Sequence, residues 1–288
     1  MECVIRAVLL VSVIIGTSQC KKMNVLFLVS DDMRPEINAF LGPDFPTPVH
    51  PTMQTPNLDQ LFAKSLVLKR AYVQQAVCSP SRTSLLTGRR PDTTHVYDLV
   101  SYFRTVGGNF TTIPQYFKEN GYLSVGMGKI FHPGHASHND DPPSWSVPYY
   151  QPPNLNYWQT KNISMLAVSD DVRKAKPLPD DQILAHALTT LRKLAKSKEQ
   201  QPFFMAVGFH KPHLPFVFPE EFLDLYPEDD IRLPDNAFAP ENMPQVAWAS
   251  YGELRAYHDI AKLHASGLPN TTLPAQVVKH LRRGYYRL

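Results

Sequence analysis

The sequence predicts an α/β domain with a mostly parallel sheet flanked by helices on both faces. Segments of strand character alternate with amphipathic helical segments, which is the order typical of parallel sheets. The first strand segment, residues 24–29 (NVLFLV), is continuously apolar, as in strands buried on both faces. Hydrophobic residues make up 43% of the 288 residues and charged residues 19%, so the chain can bury a large core.

The first part of the chain continues with two helices and a second strand. A helix begins at Pro56, because Thr55 is a suitable N-cap and proline is favoured at the first helical position. Residues 65–73 are predicted to form the second strand. Ser79 and Pro80 open a short helix that stops at Gly88, since glycine commonly ends helices.

The later part repeats this alternation. The clearest helix covers residues 180–196, where apolar residues recur at helical spacing. The other elements are a helix at 113–120, strands at 122–127 and 203–207, and a helix at 275–288. The 27 prolines favour long irregular loops, chiefly at 131–160 and 209–248, and loops of this length are often functional.

The N-terminus predicts entry into the secretory pathway. Residues 1–20 have the pattern of a signal peptide, with Arg6 near the start and an apolar run over residues 7–16. That run is shorter than the roughly 20 residues of a membrane span, and an uncleaved signal anchor is the alternative. Three glycosylation sequons, at Asn109, Asn162 and Asn270, agree with this compartment.

The charge and the cysteine count exclude several classes of protein. A net charge of +3 is too small to indicate a nucleic-acid binder. Three cysteines are too few for a disulfide scaffold or a four-cysteine zinc module. Cys3 lies in the predicted signal peptide and Cys20 at its end, which leaves Cys78 as the single interior cysteine. It is either a reactive or modified group or a buried structural residue.

Polar residues gather directly after the predicted strands, where open α/β sheets bind ligands. These residues are Asp31, Asp32, Gln74, Gln75, Cys78, Lys129, His132, His210, Lys211 and His213. The two adjacent aspartates can hold a hard divalent cation or form a turn or helix cap. The two lysines can hold an anionic group or be solvated. Zinc binding by the histidines of segments 132–138 and 210–213 is not favoured, because prolines break any helix that would align them.

The segment from Cys78 to Gly88 (CSPSRTSLLTG) resembles the signature of the sulfatase family, C-x-P-x-R followed by T-G. The spacing Lys129-x-x-His132 is similar to that of the iduronate 2-sulfatase branch. Other segments that resemble this branch are NVLFLVSDD, GRRPDTT, NFTTIPQYFKENGY, GKIFHPG and FFMAVGFHKPHLPF. The resemblance covers residues 23–286 and implies that residues 21–288 are the N-terminal part of a sulfatase catalytic domain.

The resemblance implies hydrolysis of sulfate esters and, for this branch, removal of the 2-sulfate from iduronate residues of heparan or dermatan sulfate. It implies that the formylglycine-generating enzyme of the endoplasmic reticulum oxidises Cys78 to an aldehyde, whose hydrate attacks sulfur. It also implies a calcium ion bound by Asp31, Asp32 and the modified Cys78. The destination would be the lysosome or the extracellular space.

The resemblance assigns roles to further side chains as well. Arg82 would hold the nucleophile and Lys129 would bind sulfate oxygens. His132 would deprotonate the second hydroxyl to release sulfate, and His210 would protonate the leaving oxygen. Lys211 and His213 would contact a substrate carboxylate or serve as structural loop residues.

Two features depart from the family pattern. No D-H-G or D-N-G triplet follows residue 210, where the family completes its metal site and supplies a second active-site lysine. Segment 155–180 also lacks the cysteine pair of the branch. We therefore expect a shortened sulfatase with an exposed sheet edge and poor solubility, and catalysis by these 288 residues alone is a separate hypothesis. The alternatives are a non-catalytic binder of sulfated glycosaminoglycans and a related metal-dependent phosphatase, which Pro80 and Arg82 disfavour.

Overall fold

The computed structural model describes residues 22–42, 51–153, 162–199 and 201–288. The predicted signal peptide at 1–20 lies outside the described residues. The strands are β1 (Val25–Asp31), β2 (Leu123–Gly128), β3 (Met165–Val168), β4 (Phe203–Pro212) and β5 (Phe216–Pro219). The α-helices are α1 (Pro56–Phe62), α2 (Cys78–Thr87), α3 (Pro91–Thr94), α4 (Phe103–Val106), α5 (Ile113–Glu119), α6 (Asp170–Ala175), α7 (Pro179–Lys196), α8 (His258–Ala261) and α9 (Ala275–Tyr286).

Short 3-10 helices fill much of the remaining chain. They are Asn38–Phe40, Gly134–Ala136, His138–Asp140, Glu220–Leu225, Glu228–Asp230, Gln245–Ala247 and Leu254–Ala256. Most of them lie in the two proline-rich loops that the sequence predicts. Among the described residues, no helix is both long and apolar enough to cross a bilayer.

The principal sheet has three parallel strands in the order β1–β4–β2. A second, smaller sheet pairs β3 with β5, also in parallel. Because all three strands of the principal sheet run in the same direction, their carboxyl ends meet at one edge. This edge gathers Asp31 at the end of β1, Lys129 directly after β2, and His210 near the end of β4.

The core lies on both faces of the central strand β4. On one face Phe117 of α5 stacks on Phe204, with ring centroids 4.7 Å apart. On the other face Ile183 of α7 packs with Met205 and Val207. Helices therefore cover both faces of a parallel sheet, which confirms the predicted fold class.

The apolar strand β1 is buried on one face only, so the prediction of burial on both faces is wrong for this strand. Phe27 packs against the core on the α5 side. Leu26 and Leu28 point to the other face and are 48% and 54% exposed. The reason is that α7 lies over β4 and β2 and leaves the same face of β1 uncovered.

Helix α7 borders the uncovered face of β1 with further apolar side chains. His186 stacks on Tyr150, which bridges to β2, so that side of the helix faces the β2 edge. Leu184 and Leu188 lie on the opposite side of the helix, and each is at least 40% exposed. Helix α7 and strand β1 thus each carry exposed leucines.

The predicted strand at residues 65–73 is also wrong, because this segment consists of turns and irregular chain. Leu66 and Leu68 are 87% and 67% exposed. A strand needs a neighbour for its backbone N–H and C=O groups, and within the described residues no strand pairs with this segment. The prediction was wrong because it relied only on the apolar composition of this segment.

Candidate functional site

Two glycines allow the strand ends at the candidate site to approach closely. Gly128 ends β2 with a φ of +71°, and a Cβ atom there would lie 2.0 Å from the carbonyl oxygen of Gly208 in β4. A Cβ atom on Gly208 would lie 2.1 Å from the carbonyl oxygen of Lys129. The Lys129 N–H donates to the Gly208 carbonyl at 2.8 Å. This contact holds Lys129 beside the end of β4.

We expect Gly128→Ala to destabilise the chain by about 2–5 kcal/mol, because overpacking against backbone adds to the strain of a left-handed conformation. Gly134→Ala is the matched control, since Gly134 has a φ of +73° but a Cβ atom there would meet no other atom within 4 Å. The control should lose only about 1–2 kcal/mol in chemical denaturation. Equal losses in the two variants would contradict a requirement for close approach.

Asp31 is the centre of a buried ionic cluster. Its Oδ1 accepts a hydrogen bond from Arg82 Nη2 at 2.6 Å, and its Oδ2 accepts one from Lys129 Nζ. All three side chains are at most 7% exposed. Burial alone raises the pKa of Asp31, but the charges and hydrogen bonds of Arg82 and Lys129 outweigh it and lower the pKa. The carboxylate therefore stays ionised.

Arg82 also stabilises the chain that follows β2. Its Nη1 donates to the carbonyl oxygens of Lys129 and Ile130, the latter at 2.9 Å. The hydrogen bonds of this guanidinium thus go to Asp31 and to backbone. Its predicted role in holding the nucleophile stays a prediction.

Cys78 is the first residue of α2 and lies beside the ionic cluster. Its Sγ is 3.6 Å from Lys129 Nζ, and its side chain is partly exposed. Burial raises the pKa of Cys78, although the charge of Lys129 opposes this effect. An unmodified thiol here is therefore protonated and a weak nucleophile. The N-terminus of α2 provides a favourable field for an anion at this position.

Two histidines, the buried His210 and the partly buried His132, lie near the same cations and are neutral at physiological pH. Burial, with the charges of Lys129 and Arg82, lowers the pKa of His132 to about 4. Burial and the charge of Lys129 lower the pKa of His210 to about 3. A neutral imidazole can accept a proton, as predicted for His132. The negative charge of a bound sulfate would raise the pKa of His210, which its predicted role as an acid requires.

Lys211 hydrogen-bonds to nearby backbone in this structure. Its Nζ donates to the carbonyl oxygens of His213 and Pro215, the former at 3.0 Å. Burial lowers its pKa to about 8. Both of these hydrogen bonds go to backbone of the loop after β4, and the two roles predicted for Lys211 stay predictions.

His213 joins the two aspartates and Cys78 in a compact group of side chains. The ligand atoms of Asp31, Asp32, Cys78 and His213 all lie within 4.8 Å of one another. His213 Nε2 is 3.7 Å from Asp32 Oδ2 and 3.4 Å from Glu253 Oε1. Among the residues the structure describes, this is the group that could hold a metal ion.

The donor set of this group fits a hard cation through its two carboxylates. Calcium takes six to eight oxygen ligands, so Asp31 and Asp32 supply part of such a shell. The Cys78 thiol and the His213 imidazole are not oxygen donors, and the arrangement therefore fits calcium better once an oxygen replaces Sγ. The family resemblance groups Asp31, Asp32 and Cys78 as metal ligands, and it gives His213 either a substrate contact or a structural role in its loop.

Sequence reasoning missed Asp180 and Glu253. The Asp180 carboxylate accepts the N–H groups of His210 and Lys211, at 2.8 and 3.0 Å, and so positions the end of β4. Its place in the first turn of the predicted helix at 180–196 was the available signal. No sequence pattern marked Glu253.

Several other predicted residues lie apart from the cluster. Gln75 donates to the carbonyl oxygen of Tyr97, and Gln74 is exposed. Within the described ranges, His135 and His138 belong to no metal-ligating group. The sequon asparagines are exposed, as glycosylation requires: Asn109, Asn162 and Asn270.

The model of the sulfatase family matches residues 23–279, which include the whole cluster. The chain belongs to the sulfatase family. It is 41% identical to iduronate 2-sulfatase of Mus musculus and 42% identical to that of Homo sapiens, over 94% of its length in each case. These matches cover 49% and 50% of the two relatives, so the chain spans about half the length of the curated relatives it matches.

Solved structures support the same fold. A phosphonate monoester hydrolase of Agrobacterium radiobacter superposes with a TM-score of 0.58 at 19% identity, over 92% of this chain and 56% of the hydrolase. A protein solved with its substrate, D-glucosamine-2-N,6-O-disulfate, gives 0.54 at 17% identity, over 93% of this chain and 58% of that protein. At these identities the comparison establishes the sulfatase-like fold alone.

Proposed function

We propose that this sulfatase chain takes part in removing the 2-sulfate from iduronate residues of heparan or dermatan sulfate, through a formylglycine derived from Cys78. The observation that carries the proposal is the position of Cys78 within the C-S-P-S-R segment, at the N-terminus of α2 and 3.6 Å from Lys129 Nζ. The 41–42% identity to two iduronate 2-sulfatases supports the choice of sugar.

The side chains around Cys78 meet the needs of sulfate ester hydrolysis. Lys129 and the N-terminus of α2 would neutralise the sulfate charge. A neutral His132 would take a proton from the second hydroxyl of the hydrated aldehyde, and His210 would donate one to the leaving oxygen. Arg82 keeps Asp31 and the carbonyls after β2 in place for these steps.

A calcium ion is the proposed cofactor, with Asp31, Asp32 and the modified Cys78 as its ligands in this chain. When bound, calcium supplies electrostatic stabilisation of the charge that develops on sulfate oxygens. The ionised state of Asp31 and the proximity of Asp32 support this assignment.

The compartment and the processing follow from the same proposal. Residues 1–20 would direct the chain to the endoplasmic reticulum as a cleaved signal peptide, where the formylglycine-generating enzyme acts. Residues 21–288 would form the N-terminal part of the catalytic domain. Glycosylation at Asn109, Asn162 and Asn270 and delivery to the lysosome or the cell exterior would follow.

Mass spectrometry of the peptide that contains Cys78 tests the proposal. We expect an aldehyde at this position when the chain is expressed in animal cells, and sulfate release from a 2-sulfated iduronate glycoside. A 6-sulfated glucosamine glycoside is the matched substrate that should not be hydrolysed. A free thiol at Cys78, with saturable glycosaminoglycan binding and no sulfate release, would instead support the non-catalytic alternative.

A further inference from the structure

We propose that Tyr285 is a positioning residue that fixes the backbone of Asp32 for cation binding. The inference rests on the proposed function, since it concerns the proposed calcium site. It adds a residue of the last helix, α9, to a site that otherwise depends on β1, α2, β2 and the end of β4.

A single hydroxyl group closes the turn that follows β1. Tyr285 Oη donates to the carbonyl oxygen of Asp32 at 2.7 Å and accepts the N–H of Arg34 at 2.9 Å. It therefore bonds to both sides of the turn.

Asp32 needs this support because its backbone conformation is unfavourable. Its φ is +60°, in the left-handed region that non-glycine residues rarely adopt. Its side chain is 51% exposed, so side-chain packing restrains it little. The direction of its carboxylate thus depends on the backbone that Tyr285 holds.

The packing of α9 shows why the hydroxyl reaches this turn. Gly284 is buried, and a Cβ atom there would lie 2.5 Å from Met165 Sδ of β3. The absence of a side chain lets α9 lie directly on the small sheet. The Tyr285 ring then packs edge-on against Phe216 of β5, with centroids 5.8 Å apart.

Calorimetric titration of the full chain with calcium chloride tests the inference. We expect Tyr285→Phe to weaken calcium binding by about 10–100-fold, the usual effect of losing a group that orients a metal ligand. Tyr286→Phe is the matched control, because the Tyr286 hydroxyl bonds to Arg282 on the same helix and its ring packs on Tyr226. Hydrogen exchange at the Arg34 amide, measured without calcium, should be faster only in Tyr285→Phe.

The outcomes separate this inference from the proposed function. If the wild-type chain binds calcium and Tyr285→Phe binds it equally well, the positioning role is wrong and the proposed function stands. If Tyr286→Phe weakens binding as much as Tyr285→Phe, the effect belongs to the helix as a whole and the inference also fails. If the wild-type chain binds no calcium, both are overturned.

Discussion

Cys78→Ala is expected to reduce sulfate release from a 2-sulfated iduronate glycoside by at least about 1,000-fold, because it removes the atom from which the proposed nucleophile is made. The thermal stability of the chain should change little, since the Cys78 side chain is partly exposed and sits at the start of α2. Rates are measured at saturating substrate, so that the loss is assigned to the chemical step rather than to binding.

Ser81→Ala is the control for this variant. Ser81 occupies the second of the two unspecified positions of the C-x-P-x-R segment in the same helix, so full activity is expected. Undiminished sulfate release by Cys78→Ala would show that another group attacks sulfur. A loss of activity in both variants would point to damage of α2 instead of loss of the nucleophile.

Asp31→Asn is expected to destabilise the chain by about 3–5 kcal/mol, because it leaves two buried cations without their shared carboxylate. Arg82 and Lys129 both bond to Asp31, and each of the three side chains is at most 7% exposed. Urea denaturation near neutral pH measures the loss directly. Asp32→Asn is the matched control, since Asp32 is 51% exposed and lies outside this ionic cluster.

The pH dependence gives an independent check of the same interaction. The folded state lowers the pKa of Asp31 below the ordinary value of 3.8, so its stabilisation is complete above that value and is lost as the pH falls below it. The stability difference between wild type and Asp31→Asn should therefore shrink in acid. A difference below about 1 kcal/mol near neutral pH would show that the buried cluster contributes little.

Much of the fold could be predicted from the sequence because the relevant patterns are local. The helix at 180–196 shows its apolar periodicity, and the strands at 122–127 and 203–207 are short apolar runs between glycines, prolines and charged segments. The strand predicted at residues 65–73 is wrong for the opposite reason, because its formation is not decided locally. Whether an apolar segment forms a strand depends on a neighbour with free backbone groups, and no local pattern records that neighbour.

The part of the candidate site that lies at the ends of the strands could be predicted from the sequence. Asp31 and His210 lie in two parallel strands and Lys129 directly follows a third, and the common direction of those strands brings the three residues together. Asp180 and Tyr285 act through backbone groups of distant segments, so their contacts exist only in the folded chain. The sequence also could not show that Asp31 bonds to two cations, since Arg82 is 51 residues away.

The hydrogen bond between Tyr285 and Asp32 spans 253 residues, nearly the whole described chain. The strands of the principal sheet are complete at Pro212, but this contact also needs Tyr285 of α9. The sheet edge can thus assemble during synthesis, whereas the turn after β1 reaches its final shape only when the last helix docks. Fraying of that helix would release the turn while the central strands stay paired, which makes the candidate site less stable than the sheet that carries it.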